Sequence, residues 1–230
     1  EIEPHIQPYS NSLNEKLLKS SYKTSLTSKA DEILLKTVEF HHKTFRDENI
    51  PLQTEIQQEQ VKYGATVGGL TVTINGEEMT LQKASNLLFN PDREIRQNAY
   101  YEIQEKRLTV KQTLDDLYNS LIVKRDKIAK NAGFDNFRDY MFVELCRFDY
   151  TPKDAFNFHE AVASEVVPIL NELAAERKNE LDVDTLKPWD LSVDKKNRAA
   201  LTPFTTGKEL TDKTIDCFNR LDPFIGNCIK

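Results

Sequence analysis

The sequence is poor in glycine, cysteine and long hydrophobic runs, and each shortage excludes a class of protein. Seven glycines in 230 residues are too few for the many tight turns of a β-sandwich or barrel. Cys146, Cys217 and Cys228 form no CxxC pair, so neither a disulfide framework nor a zinc knuckle is supported. We expect these three thiols to be reduced and buried.

Membranes and nucleic acids are also unexpected partners. No apolar run approaches the ~20 residues needed to cross a bilayer, and no signal peptide is recognisable, so we expect a soluble cytoplasmic protein. The 31 basic and 37 acidic residues give a net charge of −6, and neither sign gathers into a long block. A nucleic acid or an anionic membrane surface is therefore not expected to bind.

Helical periodicity is what the sequence has in abundance. Apolar residues at helical spacing predict helices over Leu13–Lys19, Ala30–Arg46 and Lys208–Arg220. A further apolar stripe runs from Pro91 to Gly133 with no proline or glycine inside it. It predicts one rod of about 40 residues and about 60 Å, at 1.5 Å per residue.

Capping residues mark several helix ends. Asn49 is a candidate cap for a helix that Gly64 ends. Thr80 is predicted to cap a short helix, and the run Thr151–Asp154 has the cap and the first-turn proline of another. That helix extends to about residue 179 with Pro168 inside it, so we expect a kink just before this proline.

One stretch has a β pattern. Between Leu70 and Met79 the apolar period becomes two, and Asn75-Gly76 stands at the centre. Asn-Gly supplies the positive φ angles of a two-residue hairpin turn. The sequence therefore predicts a mainly α fold with one β-hairpin near residues 70–79.

The segment from Phe158 to Glu165 reads FHEAVASE and begins like the active-site helix of a zinc peptidase. Such a helix needs a second histidine four residues after the first, so that both imidazoles reach one ion. Ala163 occupies that position. His159 instead shares a helical stripe with apolar residues, so we expect it in the core or at its boundary. A metal ligand completed by distant residues is the alternative.

Other chemistry-bearing clusters have plain structural explanations. The acids at Glu77-Glu78, Asp115-Asp116 and Asp182–Asp184 lie beside turns or on polar faces, where solvated charge is the default. Arg147 and Asp149 are expected to form a local salt bridge. An aromatic-rich set is able to line a peptide cleft, although core packing is the expected role: Tyr100, Tyr101, Tyr140, Phe142, Phe148 and Tyr150.

No residue of this chain is predicted to be catalytic, cofactor-binding or metal-ligating. The sequence has no Ser-His-Asp order, no GxSxG, no P-loop and no dinucleotide fingerprint.

Four phrases carry a resemblance to a known family. They are Gly76–Leu81 (GEEMTL), Asp92–Arg96 (DREIR), Asn131–Tyr140 (NAGFDNFRDY) and Leu186–Leu191 (LKPWDL). In this order and spacing they resemble the oligoendopeptidase F family of thimet-oligopeptidase-like zinc metallopeptidases. The similarity is to the non-catalytic helical part of that family and the start of its catalytic domain.

The resemblance implies the long-helix lobe of a mostly α-helical clamshell, whose two lobes enclose a channel for short peptides. Family members cleave internal peptide bonds with one zinc, which is held by the two histidines of an HExxH helix and a later glutamate. The HExxH glutamate activates the zinc-bound water. This sequence lacks the motif, so no catalytic residue is carried over to a numbered position.

We therefore expect a fragment that is inactive alone. Residues 1–150 would belong to the helical N-terminal lobe, and residues 151–230 would lead into an incomplete catalytic domain. Its partners would be short peptide substrates and the remaining catalytic part of the same protein. The alternatives are a self-sufficient α-helical peptide- or protein-binding module and a metalloenzyme that uses His159 with remote acids.

Overall fold

The computed structural model of the protein describes residues 2–196, 198 and 201–229. Helices make up most of them, and two short strands form an antiparallel pair, so the predicted mainly α fold with one hairpin is confirmed. The helices and strands are α1 (Glu3–Lys19), α2 (Lys29–Thr44), α3 (Asn49–Gly68), β1 (Thr71–Ile74), β2 (Glu77–Thr80), α4 (Leu81–Ser85), α5 (Arg93–Leu108), α6 (Lys111–Asn131), α7 (Phe137–Glu144), α8 (Pro152–Ala161), α9 (Val167–Glu180), α10 (Gly207–Leu221) and α11 (Pro223–Ile229). Within the described part of the chain, no helix is both long and apolar enough to span a membrane.

The chain divides into two compact units, Glu1–Val193 and Asp194–Lys230. In the second unit α10 packs against α11. A Cβ atom at Gly226 would overlap the Asn219 side chain and come within 2.9 Å of the Asn219 backbone nitrogen, so this approach requires glycine. The lobe boundary between residues 150 and 151 concerns a longer protein and stays a prediction.

The hairpin forms as its sequence predicts and closes the first hydrophobic cluster. Asn75 and Gly76 have φ angles of 53° and 80°, which a two-residue turn of this kind needs. Val72 and Ile74 of β1 are buried against Ile103 of α5. Thr80 then caps α4, as predicted, because its side chain accepts a hydrogen bond from the Lys83 N–H.

The second cluster joins α3, α6 and α7 around the buried ring of Tyr140. Asn49 joins α3 to α6 and does not act as a cap, which corrects the prediction. Its side-chain amide donates to the Ile128 carbonyl oxygen at 3.1 Å, and its Oδ1 accepts from Asn131 at 2.8 Å. Gly64 does not end α3 either, since one glycine costs a helix only about 1 kcal/mol and α3 continues to Gly68.

The predicted 40-residue rod is wrong: α5 ends at Leu108 and α6 begins at Lys111. The Thr109 hydroxyl donates to the Lys106 carbonyl oxygen, and Val110 leaves helical geometry with φ −106° and ψ 6°. Two consecutive β-branched residues, one bonding back to the helix, are enough to end it without proline or glycine.

Pro168 perturbs its helix by changing the hydrogen-bond pattern just before it. Thr151 and Asp154 form the expected capping box of α8. The segment Val162–Val166 is then π-helical, and the Val167 N–H donates to the carbonyl oxygen of Val162, five residues back. Because proline has no N–H to donate one turn back, the wider turn absorbs the defect.

Candidate functional site

A buried ion cluster joins the segment Leu186–Leu191 to α5. The Asp190 carboxylate has no exposed surface and accepts from Arg93 at 3.0 and 2.8 Å and from Arg96 at 3.0 Å. The Lys187 N–H also donates to it at 3.0 Å. Within this segment, Pro188–Asp190 fold into a 3-10 turn. The ion pairs draw this turn onto the helix.

Asp190 stays ionised at any ordinary pH. Burial by itself would raise the pKa of this carboxyl, but hydrogen bonds from Arg93, the Lys187 N–H and Arg96 outweigh it and lower the pKa to about 2. Arg96 also donates to the carbonyl oxygens of Asn90 and of two further residues. Each charged side chain of the cluster is already paired within the protein, so the role of the cluster is to hold the turn against α5.

The predicted aromatic set separates into three groups. Tyr100 and Tyr101 contact Trp189, with ring centroids 5.5 and 5.4 Å from the indole. Tyr140 lies in the second cluster between Phe134 and Phe137. Core packing, the expected role, is confirmed for Tyr140 alone, since Tyr100 is half-buried and Tyr101 is exposed.

The third aromatic group surrounds Arg147. Its guanidinium lies 4.7 Å from the centre of the Phe142 ring and 5.9 Å from that of Tyr150. A cation–π contact therefore anchors this corner, where the sequence predicts a salt bridge to Asp149. Phe148 turns away and packs edge-on against Phe40, with centroids 5.0 Å apart.

A cleft lies beneath α1, beside α3 and α7. Two cavities of about 470 and 400 Å³ share five lining residues, Glu3, Gln7, Gln53, Tyr140 and Glu144. Burial and the neighbouring Glu144 carboxylate raise the pKa of the Tyr140 hydroxyl well above its ordinary value. That hydroxyl therefore remains a proton-bearing donor at the floor of the cleft. The sequence gives no signal for this site, because its walls come from separate helices.

His159 is exposed and does not lie in the core, contrary to the prediction. Its neighbours are the exposed rings of Phe156 and Phe158, at 6.2 and 6.4 Å. Among the residues that the structure describes, no group of three or more His, Cys, Asp or Glu side chains could hold a metal ion. These residues do not fit the zinc ion that the resemblance implies.

Among the described residues, neither the cysteines nor the paired acids belong to a group of three or more side chains that could hold a metal ion. Cys217 and Cys228 are free and exposed, so the prediction of burial is wrong for them. Cys146 is half-buried, with its Sγ 3.6 Å from Nε2 of His41, and burial raises the pKa of its thiol. Asp115 pairs with the exposed Lys111 on the preceding turn of α6, as solvated charge would.

Comparison with known proteins identifies the family. A sequence model of peptidase family M3 matches residues 86–215, which is more than half of the chain. The chain belongs to peptidase family M3. The matched M3 region contains α5, the Asp190 cluster and the whole of α8 and α9. Comparison with curated protein sequences gives no significant match.

Solved structures confirm the fold of this M3 region. An X-ray structure described as an oligoendopeptidase F has a TM-score of 0.92 and 22% identity, and covers all of this chain. A second oligoendopeptidase F, from Bacillus anthracis, has a TM-score of 0.89 and 22% identity over 98% of the chain. PZ peptidase A with an inhibitor has a TM-score of 0.91 at 22% identity over the full chain. The M3 chain spans only 40 or 41% of the length of these proteins.

Proposed function

We propose that this chain is part of a cytoplasmic zinc-dependent oligoendopeptidase that hydrolyses internal bonds of short peptides. In this proposal the chain forms a wall of the substrate channel, and the zinc ligands lie in polypeptide beyond it. The observation that carries the proposal is the M3 match, together with Ala163 at the position where an HExxH helix needs its second histidine. The names of the similar structures, oligoendopeptidase F among them, support the reaction class.

The exposed surface of α8 and α9 supports the proposal that further polypeptide packs against this chain. Large apolar side chains along this helix pair are exposed by 42–67% of their surface: Phe156, Phe158, Val166, Val167, Ile169, Leu170 and Leu173. An apolar face of this extent marks an interaction surface in a water-soluble protein. We assign it to the remaining catalytic part of the same protein. A self-sufficient binding module, the alternative function, would not be expected to leave such a face bare.

Peptide hydrolysis tests the proposal. The purified 230-residue chain should not cleave a fluorescence-quenched oligopeptide, with or without added zinc, because it carries no zinc-binding histidine pair. A longer polypeptide that contains this chain and an HExxH helix should cleave the same peptide, and a chelator should abolish that activity. Zinc-dependent turnover by the 230-residue chain, or no turnover by the longer one, would overturn the proposal.

A further inference from the structure

Cys146 and His41 are two metal-ligating side chains that the fold brings together from separate elements. Sγ of Cys146, just after the end of α7, lies 3.6 Å from Nε2 of His41 on α2. At this distance a single proton lies between the two atoms in a weak hydrogen bond. A soft metal ion can take the place of that proton, because thiolate sulfur and imidazole nitrogen are both ligands of copper.

We propose that Cys146 and His41 bind one Cu(I) ion, with Sγ and Nε2 as its two protein ligands. Binding releases the thiol proton to solvent as a sulfur–copper bond and a nitrogen–copper bond form, and nothing is oxidised or reduced. The proposed site is separate from peptide hydrolysis and does not depend on it.

The number and spacing of the ligands favour Cu(I) over zinc. Among the described residues, no third His, Cys, Asp or Glu side chain completes a larger set. Structural zinc takes four ligands, whereas the soft, closed-shell Cu(I) ion is stable with two. Metal bonds of about 2.3 Å to sulfur and about 2.0 Å to nitrogen place the two ligand atoms about 3.5–4.3 Å apart, depending on the angle at the ion. The observed 3.6 Å falls within this range, and the exposed His41 ring can rotate outward as the angle opens.

The backbone holds the Cys146 thiol in place before any ion binds. The Cys146 N–H donates to the Val143 carbonyl oxygen at 2.9 Å, and the Arg147 N–H donates to that of Phe142 at 3.0 Å. These two bonds form a Schellman motif at the end of α7. Cys146 has a φ of 51° there, at the position where glycine is usual. A ligand fixed in advance strengthens binding, because less freedom is lost when the ion arrives.

Access and charge also favour a cation. His41 is exposed and lines the cavity of about 470 Å³, and Cys146 is only half-buried, so an ion reaches both from solvent. Burial and the nearby Glu144 carboxylate raise the pKa of the Cys146 thiol. The same negative charge that opposes a free thiolate attracts a metal cation to the sulfur.

The test is Cu(I) binding by the 230-residue chain, measured without oxygen in competition with a coloured Cu(I) chelator. The background carries Cys217→Ser and Cys228→Ser, because these exposed thiols would also bind copper. This background should bind one Cu(I) per chain. His41→Ala should weaken binding at least about tenfold, since even residues that only support a metal ligand are worth about 10–100-fold. His42→Ala, whose ring contacts Asn11 instead of the thiol, should bind as the background does.

Two further readouts separate ligation from a structural role. Cys146→Gly should abolish binding and leave the chain folded, because glycine accepts the positive φ of this position. X-ray absorption at the copper edge should show one sulfur and one nitrogen neighbour, and the protein nitrogen should be lost in His41→Ala. No bound copper in the background, equal affinity in His41→Ala, or copper with sulfur neighbours alone would overturn the proposal.

Discussion

Replacing Asp190 by asparagine should destabilise the first unit strongly. The substitution keeps the shape of the side chain but removes the charge that Arg93 and Arg96 share. Arg96 is only 3% exposed, so its guanidinium would be left buried without an anion. Removing one partner of a buried ion pair costs about 3–5 kcal/mol of the free energy of unfolding.

The pKa of Asp190 gives a second magnitude for the same interaction. The folded value of about 2 lies below the ordinary 3.8, and each unit corresponds to about 1.4 kcal/mol. The charge-dependent stabilisation is therefore about 2–3 kcal/mol, less than the substitution cost because a protonated carboxyl keeps part of its hydrogen bonding. We expect a loss of about 3 kcal/mol for Asp190→Asn, which moves the urea midpoint by about 1–2 M.

The assay uses the fluorescence of Trp189, the one tryptophan of the chain. Its indole is 6% exposed and lies next to Asp190 in the same turn. Urea unfolding followed at its emission should show the early midpoint in Asp190→Asn. Asp115→Asn, which removes an exposed ion pair on α6, should stay within about 0.5 kcal/mol of the parent.

The dependence of the free energy of unfolding on pH is a further test of the Asp190 ion pairs. Because the folded pKa is lowered, the stabilisation is complete above about pH 4 and disappears as the pH falls through 2. The difference between parent and Asp190→Asn should therefore shrink over this window. Equal midpoints of the two proteins at pH 7, or a difference that does not shrink towards pH 2, would refute this role of the cluster.

Three further substitutions test the fold. Ile103→Ala, at a position 2% exposed, should cost about 2–5 kcal/mol in urea unfolding, and a loss below 1 kcal/mol would show that the first cluster is not packed as described. Asn49→Ala leaves the Ile128 carbonyl oxygen without its side-chain donor and should cost about 1–3 kcal/mol, against almost nothing for the exposed Asn98→Ala. Gly76→Ala, at φ +80°, should lower the thermal midpoint by the equivalent of about 1 kcal/mol, and an unchanged midpoint would contradict the turn geometry.

Local features of the fold were predictable from sequence where one residue determines the backbone. Asn75-Gly76 predicts the turn because few other pairs accept two positive φ angles. Thr80 and Thr151 predict helix starts because each cap needs only its own next turn. The break at Thr109 was missed because back-bonding by a threonine hydroxyl leaves no strong sequence signal.

The features that depend on tertiary contact were not predictable. Asn49 is of a residue type that often caps helices. Its side-chain amide instead donates a hydrogen bond to the carbonyl oxygen of Ile128, 79 residues later in the chain. His159 lies on an apolar stripe, and none of the residues that the structure describes covers this stripe, so it is exposed. The cleft beneath α1 combines residues from α1, α3 and α7, whose proximity no spacing reveals.

The phrases that carried the resemblance have a physical explanation. DREIR supplies Arg93 and Arg96, and LKPWDL supplies Trp189 and Asp190, so two phrases almost a hundred residues apart meet in one buried ion cluster. Each phrase is short and permissive by itself. Their pairing is specific because a buried carboxylate requires its arginines.

The central claim is that the zinc ligands of the proposed enzyme lie outside these 230 residues. The most direct measurement is the zinc content of the purified chain by elemental analysis, after loading with zinc and extensive dialysis. The account predicts far less than one zinc ion per chain, equal in the parent and in His159→Ala. One zinc ion retained per parent chain, and lost in His159→Ala, would contradict it.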